Sequence, residues 1–366
     1  MGTGPTVDHH GMWRHPDTDN GFLSPEYYQN LGRLLEAGKL DGIFFADAQG
    51  FSDIYGGSHK ASLEHGAMLP MLDPMVILSM MAGVTRNLGL GCTMSSTHIA
   101  PYHLARSLST LDLLSKGRVA WNVVTSSSAS EARNFSADPL LDRDSRYDRA
   151  DEVLEACHAL WDGWDSDALL MDKASGRFAD GNKVRAPHYS GKWVNTRGPL
   201  TVPPSPQGHP VIMQAGASER GKQFAARWAE MIFAVGTDDE AMVSFYNDVK
   251  GRMSALGRRP EGCAVMASLD LIVAETESIA REKQAYINEL ATAEQGLATL
   301  SFVLGVDFST FPLDQPIADM DINEGSRGML DVILRGSGAE SMTLRQTAKH
   351  YAVVPFTPQV VGTPSQ

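Results

Sequence analysis

Short runs of continuously apolar residues alternate with longer stretches whose apolar positions recur every three or four residues. SPEYYQNLGRLLEAGKL predicts the first helix: Ser24 is placed to cap it, Pro25 takes its first position, Leu31, Leu34 and Leu35 form its stripe, and Gly38 ends it. DGIFFAD then reads as a strand and DPMVILSMMAGVT as a helix opened by Asp73 and Pro74. LGLGCTMSST is the next strand, PYHLARSLSTLDLLSKG a helix closed by Gly117, and RVAWNVVT a third strand. The alternation resumes with a helix YDRADEVLEACHALWDGW, a strand PVIMQAG, a helix SERGKQFAARWAE and a strand MIFAVG. A helix from about Asp238, one strand CAVMASLDLIVAE and another helix follow. Strands that are apolar throughout and joined by helices imply a parallel sheet covered on both faces. A doubly wound sheet and a (β/α)8 barrel both satisfy that pattern, and periodicity does not separate them.

Two regions break the rhythm. Asp165 to Pro210 is rich in Gly and Pro and predicts a hairpin-bearing insertion, and Gly296 to Gly338 reads as a second irregular insertion in a single domain spanning residues 1–366. Segments of this kind serve as lids or partner surfaces, or are plain surface excursions. At the end, VVGTPSQ predicts a strand and a turn, with Thr363 and Pro364 announcing a helix that is not printed, so the chain reads as a fragment.

Composition narrows the function classes. Of 366 residues 43% are apolar and 20% charged, enough to bury a large core. A net charge of -13 argues against a broad basic face for nucleic acid. Cys92, Cys157 and Cys263 stand far apart in apolar runs and read as small core residues. No apolar run is long enough for a membrane span and no charged-then-apolar leader opens the chain, which predicts a cytoplasmic, reduced protein.

Ligands of parallel α/β proteins bind at the C-terminal ends of strands. The residues placed there are Asp47; Thr93, Ser95, Ser96 and Thr97; Asn122 with Thr125 to Ser128; and Gln214, Gly216 and Ser218. They are mostly neutral donors and acceptors, with no cluster at metal-ligand spacing and no HExxH. Such a rim suits a polar planar ligand. QAGASERGKQFAARWA adds a Gly turn and a helix N-terminus able to take a phosphate, though it matches neither a P-loop nor GxGxxG. Each residue also has a plain structural use: Ser218 as a helix cap, Asn122 as a buried amide bonded to a loop, Asp47 as a turn cap. His98 and His103 read as hydrogen-bonded structural histidines before they read as acids or bases. Trp13, Arg14 and His15 form a candidate lid or a surface turn, and Arg14, Arg143 and Arg146 a candidate anion pocket.

HHGMWRHPDTDNGFLSPEYYQ, GLGCTMSSTHIAPYHLAR, LSKGRVAWNVVTSSSASEARNFS, RYDRADE, RGPLTVPPSPQGHPVIMQAGAS and GTPSQ, in this order from about His10 to the last residue, resemble a known family. It is that of the reduced-flavin-dependent monooxygenases of the bacterial luciferase-like superfamily, in the branch of nitrilotriacetate and dibenzothiophene-sulfone monooxygenases and pristinamycin IIA synthase. The resemblance implies a (β/α)8 barrel with flavin mononucleotide (FMN) at its C-terminal rim. It implies a two-component enzyme: a separate NAD(P)H-dependent flavin reductase supplies reduced FMN (FMNH2), oxygen adds to it, and the resulting flavin peroxide oxidises a small organic substrate. A homo-oligomer is also implied. Carried over by position, Asp47 and Thr93 lie by the isoalloxazine or ribityl part and Asn122 faces the ring. Tyr147, Ser218 and the backbone of Ala217 contact the phosphate. Arg143 stands where the family often has His, and could bind the phosphate bidentately. Ala217 replaces a frequent serine, removing one hydroxyl. Relatives carry a strand before HHGMWRHPD and further elements after GTPSQ, so the resemblance predicts a barrel lacking its first and last strands. A non-catalytic or degenerate flavin-binding protein, and an unrelated barrel acting on a phosphorylated sugar, are the alternatives.

Overall fold

The structure is a computed structural model and describes residues 3–67, 71–136, 139–234, 239–320, 322, 341–353 and 359–365. Its helices are α1 (Pro25–Ala37), α2 (Lys60–His65), α3 (Pro74–Ala82), α4 (Pro101–Ser115), α5 (Ala129–Asn134), α6 (Arg143–Trp161), α7 (Glu219–Trp228), α8 (Asp239–Ala255), α9 (Glu277–Glu289), α10 (Ala293–Leu304) and α11 (Leu344–Val353). Its strands are β1 (Gly42–Phe45), β2 (Gly89–Ser95), β3 (Val119–Val124), β4 (Leu169–Asp172), β5 (Arg177–Ala179), β6 (Tyr189–Ser190), β7 (Asn195–Thr196), β8 (Val211–Gln214), β9 (Met231–Ala234), β10 (Ala264–Ala267), β11 (Asp270–Val273) and β12 (Gln359–Gly362).

The caps read from the sequence form. Ser24 Oγ accepts the Tyr27 N–H at 3.3 Å, Asp73 Oδ1 that of Met75 at 2.8 Å, and Ser218 Oγ that of Gly221 at 3.1 Å. Each satisfies an N–H that a helix start leaves free.

The main sheet has the order β1-β2-β3-β8-β9-β10, and every neighbouring pair is parallel. The order never reverses, whereas a doubly wound sheet has a switch point. The sheet also curls. Phe44 on β1 and Phe233 on β9 bring their ring centroids to 6.0 Å. Four strand spacings separate these two strands, roughly 19 Å in a flat sheet. The architecture is therefore α/β with a curled parallel sheet, a half-closed barrel. Between β1 and β10 lies a cavity of about 870 Å³, lined by Ile43, Phe44, Phe233 and Met266. The main core packs Trp121, Phe45, Leu104, Leu154 and Phe224 between the sheet and its helices.

Three expectations are corrected. CAVMASLDLIVAE is not one strand: it pairs with β9 through Ala267 and with β12 from Asp270 onward. The cause is partner length, because β9 ends at Ala234, whose carbonyl takes the Ser268 N–H at 3.1 Å, and the rest of the run finds another neighbour. α6 starts at Arg143, before Tyr147, because Asp142 caps it through the Ser145 N–H. The second irregular region does not begin at Gly296, which lies inside α10. That helix opens with a capping box of Thr292 and Gln295 and ends at Gly305 in the left-handed conformation. Residues 321 and 323–338 of that region lie outside the described residues. Between α6 and β8 the chain forms two antiparallel hairpins, β4–β5 and β6–β7.

Candidate active site

The candidate residues stand at the strand ends. Thr93 on β2 stands opposite Asn122 on β3, and Asn122 opposite Met213 on β8. The Asn122 amide donates to Thr93 Oγ1 at 3.0 Å, and that hydroxyl donates to the Phe45 carbonyl at 2.7 Å. One chain of bonds thus fixes the ends of β1, β2 and β3. Asn122 is 3% exposed, and its Oδ1 has no partner. Gln214, at the end of β8, repeats the arrangement: its amide donates to the Gly216 carbonyl at 3.1 Å, while its buried Oε1 has no partner. A buried acceptor left unpaired costs about 1–3 kcal/mol. The two acceptors stand on adjacent strands, where N–H groups of one ligand could satisfy both.

Asp47 lies two residues past β1. Burial pushes its carboxyl up to about 6, helped by the charges of Asp73 and Glu131 and opposed by the Ala48 N–H and the Gln49 side chain. The group is thus part protonated near neutral pH. Folding that raises a carboxyl pKa contributes stability that is complete below its ordinary value and is lost as pH rises through the raised one. Asp47→Asn is therefore expected to gain melting temperature over the parent progressively between pH 4 and pH 7 and to match it at lower pH. Thermal melts across that range check this.

The other end of the site is a cradle of glycines. A Cβ on Gly216 would sit 2.3 Å from Tyr147 Oη and 2.5 Å from Gln214 Nε2. A Cβ on Gly221 would sit 2.9 Å from Tyr147 Oη and 3.1 Å from Ser218 Oγ. Tyr147 and Ser218 are thus brought together at the start of α7, where free backbone N–H groups favour an anion. Tyr147 is held against Phe224, with centroids 5.5 Å apart, and the Arg220 guanidinium lies 5.7 Å above its ring. Ala217 is exposed beside them. Arg143 is exposed on the first turn of α6, on the same face as Tyr147 one turn on. Arg14 is separate from this region, tied by Nη1 to the Leu290 carbonyl at 2.6 Å.

The hydroxyls at the end of β2 and after β3 lace the rim together. Thr97 Oγ1 donates to the Thr125 carbonyl at 2.7 Å, Ser96 Oγ to the Val124 carbonyl at 3.0 Å, and Ser95 and Ser126 bond each other at 2.8 Å. Ser126 holds a left-handed φ of 44° and donates to Glu131 at 2.8 Å. Glu131 was missed by sequence reasoning: burial raises its carboxyl, yet in SASE it reads as the end of a capping box. The Ser128 cap does form, but the Glu131 carboxylate turns to Ser126 instead of completing the box. His98 departs from its expected structural bonding. Its side chain is fully buried and stacked on Phe135 at 4.7 Å, with Nε2 4.0 Å from Glu131, and neither nitrogen has a hydrogen-bond partner. Burial, then the Arg149 charge, lowers its pKa, so it is neutral.

Among the described residues no group of three or more His, Cys, Asp or Glu could hold a metal ion, and no helix is long and apolar enough to cross a membrane. The three cysteines are buried and free.

The sequence profile described as luciferase-like monooxygenase matches residues 6–351. The chain belongs to that family. As a luciferase-like monooxygenase it is an oxidoreductase, and its curled sheet is the half-barrel counterpart of the family fold. It is 44% identical to dibenzothiophene-sulfone monooxygenase of Rhodococcus erythropolis over 98% of this chain and 80% of that protein. It is 37% identical to nitrilotriacetate monooxygenase component A of Aminobacter aminovorans over 98% of this chain and 80% of that one. Among solved structures it matches a riboflavin lyase with modified FMN and riboflavin at a TM-score of 0.87 and 32% identity, covering 100% of this chain and 80% of that one. The family resemblance read from the motifs is thus confirmed.

For this luciferase-like monooxygenase, Asn122→Leu separates site from scaffold. It keeps the branched shape while removing both the unpaired buried acceptor and the bond to Thr93, two opposed effects, so melting temperature should shift by only a few degrees. FMN affinity should fall about tenfold, the loss of one buried hydrogen bond. Flavin fluorescence titration and a thermal melt read the two effects.

Proposed function

We propose that the protein is the oxygenase component of a two-component system, using reduced FMN from a separate NAD(P)H-dependent flavin reductase to oxidise a small organic substrate with O2. The observation that supports it best is the row of neutral, unpaired acceptors on Asn122 and Gln214, flanked by Asp47 at one end and the Tyr147–Ser218 cradle at the other. Asn122 Oδ1 and Gln214 Oε1 would accept N–H groups of the ring. Thr93 fixes the Asn122 amide through its Nδ2 and leaves Oδ1 as the atom without a partner. Ser218, Tyr147, the Ala217 backbone and the start of α7 would hold the phosphate, with Arg143 free to approach it from α6. Asp47, part protonated at neutral pH, can hold or release a proton beside the ring. Reduced FMN supplies the electrons that activate oxygen, and the protein's share is to position it and keep water out. A component A among the relatives supports the partner reductase. A cytoplasmic homo-oligomer, where reductase and NAD(P)H meet, completes this reading.

The cavity between β1 and β10 supports a finer reading of the fold as a single (β/α)8 barrel domain, with one insertion at about 165–210 and a second that follows α10, whose first and last strands would stand in that gap. Anaerobic titration with FMNH2 tests the main reading. Binding at tens of micromolar or tighter is expected, and substrate-dependent oxygen uptake separates the enzyme from a mere binder. Absence of flavin binding at that concentration would sink both.

A further inference from the structure

Arg143, Arg146 and Arg149 recur at every third position along the first half of α6. The arginines of α7 that face this helix are neutralised, Arg220 by Asp148 and Asp151 and Arg227 by Asp151 and Glu155. Among the described residues no carboxylate pairs with the three arginines of α6. Arg143 is exposed to water, and Arg149 gives its Nε to the Thr97 carbonyl at 3.2 Å. Arg146 is worse placed. It is 9% exposed, its Nη1 donates to the Leu141 carbonyl at 2.5 Å, and its Nε is buried without a partner.

A buried guanidinium without a counter-ion is costly, because its lost hydration is repaid only by an opposite charge and by acceptors for its donors. Burial and then the like charge of Arg143 act against the charged form, while Tyr147 and Asp142 favour it. Asp142 is a weak counter-ion: it is exposed, and its Oδ1 already takes the Ser145 N–H at 3.0 Å. Tyr147 is the next residue, and its hydroxyl bounds the cradle of Gly216 and Gly221. The unbalanced charge of Arg146 therefore lies within electrostatic reach of the place assigned to the phosphate.

We propose that Arg146 is the buried counter-charge of the flavin phosphate and sets the preference of the site for FMN over riboflavin. The inference rests on the flavin reading above. Direct contacts to the phosphate stay with Tyr147, Ser218 and the start of α7, and Arg146 acts through space while its Nη1 keeps the Leu141 carbonyl. A buried charge is screened far less than the exposed Arg143, so it holds its effect beyond contact distance. FMN and riboflavin share the ring and the ribityl chain. A charge that acts on the phosphate separates the two flavins, whereas a side chain that merely shapes α6 affects both alike.

The experiment measures Kd for FMN and for riboflavin by fluorescence titration of the parent, Arg146→Met and Arg146→Lys, at low and at high sodium chloride. Arg146→Met should weaken FMN about tenfold and leave riboflavin unchanged. Its FMN affinity should also fall less with added salt than that of the parent. Arg146→Lys, which keeps the charge, should stay within about threefold of the parent for both flavins. Riboflavin binding certifies that each variant is folded. Equal weakening of the two flavins in Arg146→Met makes Arg146 a structural residue and overturns the inference, as does an unchanged FMN affinity; both leave the flavin reading intact. A measurement on the parent needs no variant: inorganic phosphate should compete with FMN and not with riboflavin, and its failure to compete with FMN overturns the inference. Absence of binding of either flavin to the parent overturns the flavin reading and the inference with it.

Discussion

Gly216→Ala should weaken FMN binding roughly ten- to a hundredfold, about 1.4–2.8 kcal/mol, while leaving the melting temperature within a few degrees. The added Cβ would lie 2.3 Å from Tyr147 Oη and 2.5 Å from Gln214 Nε2. Both atoms are ends of side chains, so the fold can give. The site cannot give so easily, because the Tyr147 ring is wedged against Phe224 and beneath Arg220. Arg220 is itself anchored by Asp148 and Asp151. One methyl therefore displaces a phosphate-end hydroxyl and a ring-facing amide together. Tyr147→Phe, which removes only the hydroxyl, should cost about fivefold. Fluorescence titration of FMN against the parent and both variants checks the ratio. Equal affinities for parent and Gly216→Ala would place the flavin elsewhere.

Gly296→Ala should have the largest effect on stability, a loss of about 3 kcal/mol or more. Its Cβ would fall 1.7 Å from the Ala348 carbonyl oxygen and 2.4 Å from the carbon, so the obstacle is backbone. The close crossing of α10 and α11 that Gly296 permits buries Leu297, Leu300, Leu304, Leu344 and Tyr351 in a second core. It also positions Gln295, whose amide holds the His10 carbonyl at 2.9 Å and the His65 carbonyl at 2.8 Å. Urea unfolding of the variant should show a lowered midpoint with an unchanged slope. An unchanged midpoint would mean that the two helices do not cross this closely.

Much of the scaffold was legible because its signals are local. Ser24–Pro25, Asp73–Pro74 and Ser218 each combine a side-chain acceptor with a helix start, and a cap needs no distant partner. Asn122 could be placed for a related reason: an amide inside an apolar strand stands out, and it does lie on β3, bonded to Thr93. What local pattern could not convey was the shape of the sheet. Strand order and curl depend on pairings across the chain, and a barrel and a doubly wound sheet present the same apolar runs. Glu131 was hidden because a capping box and a carboxylate bonded to Ser126 share one sequence. His98 was misjudged because its surroundings, Phe135 and Glu131, come from another strand's loop. The break between β10 and β11 was invisible because its cause is the length of β9. The capping box TAEQ, by contrast, was present in the sequence and marks the start of α10.

The most direct test of the account is a crystal structure of the protein with FMN. The account predicts the isoalloxazine ring within hydrogen-bond distance of Asn122 Oδ1 and Gln214 Oε1, and the phosphate among Tyr147, Ser218 and the first turn of α7. FMN lodged instead in the gap between β1 and β10, or a phosphate away from the Gly216–Gly221 cradle, would contradict it.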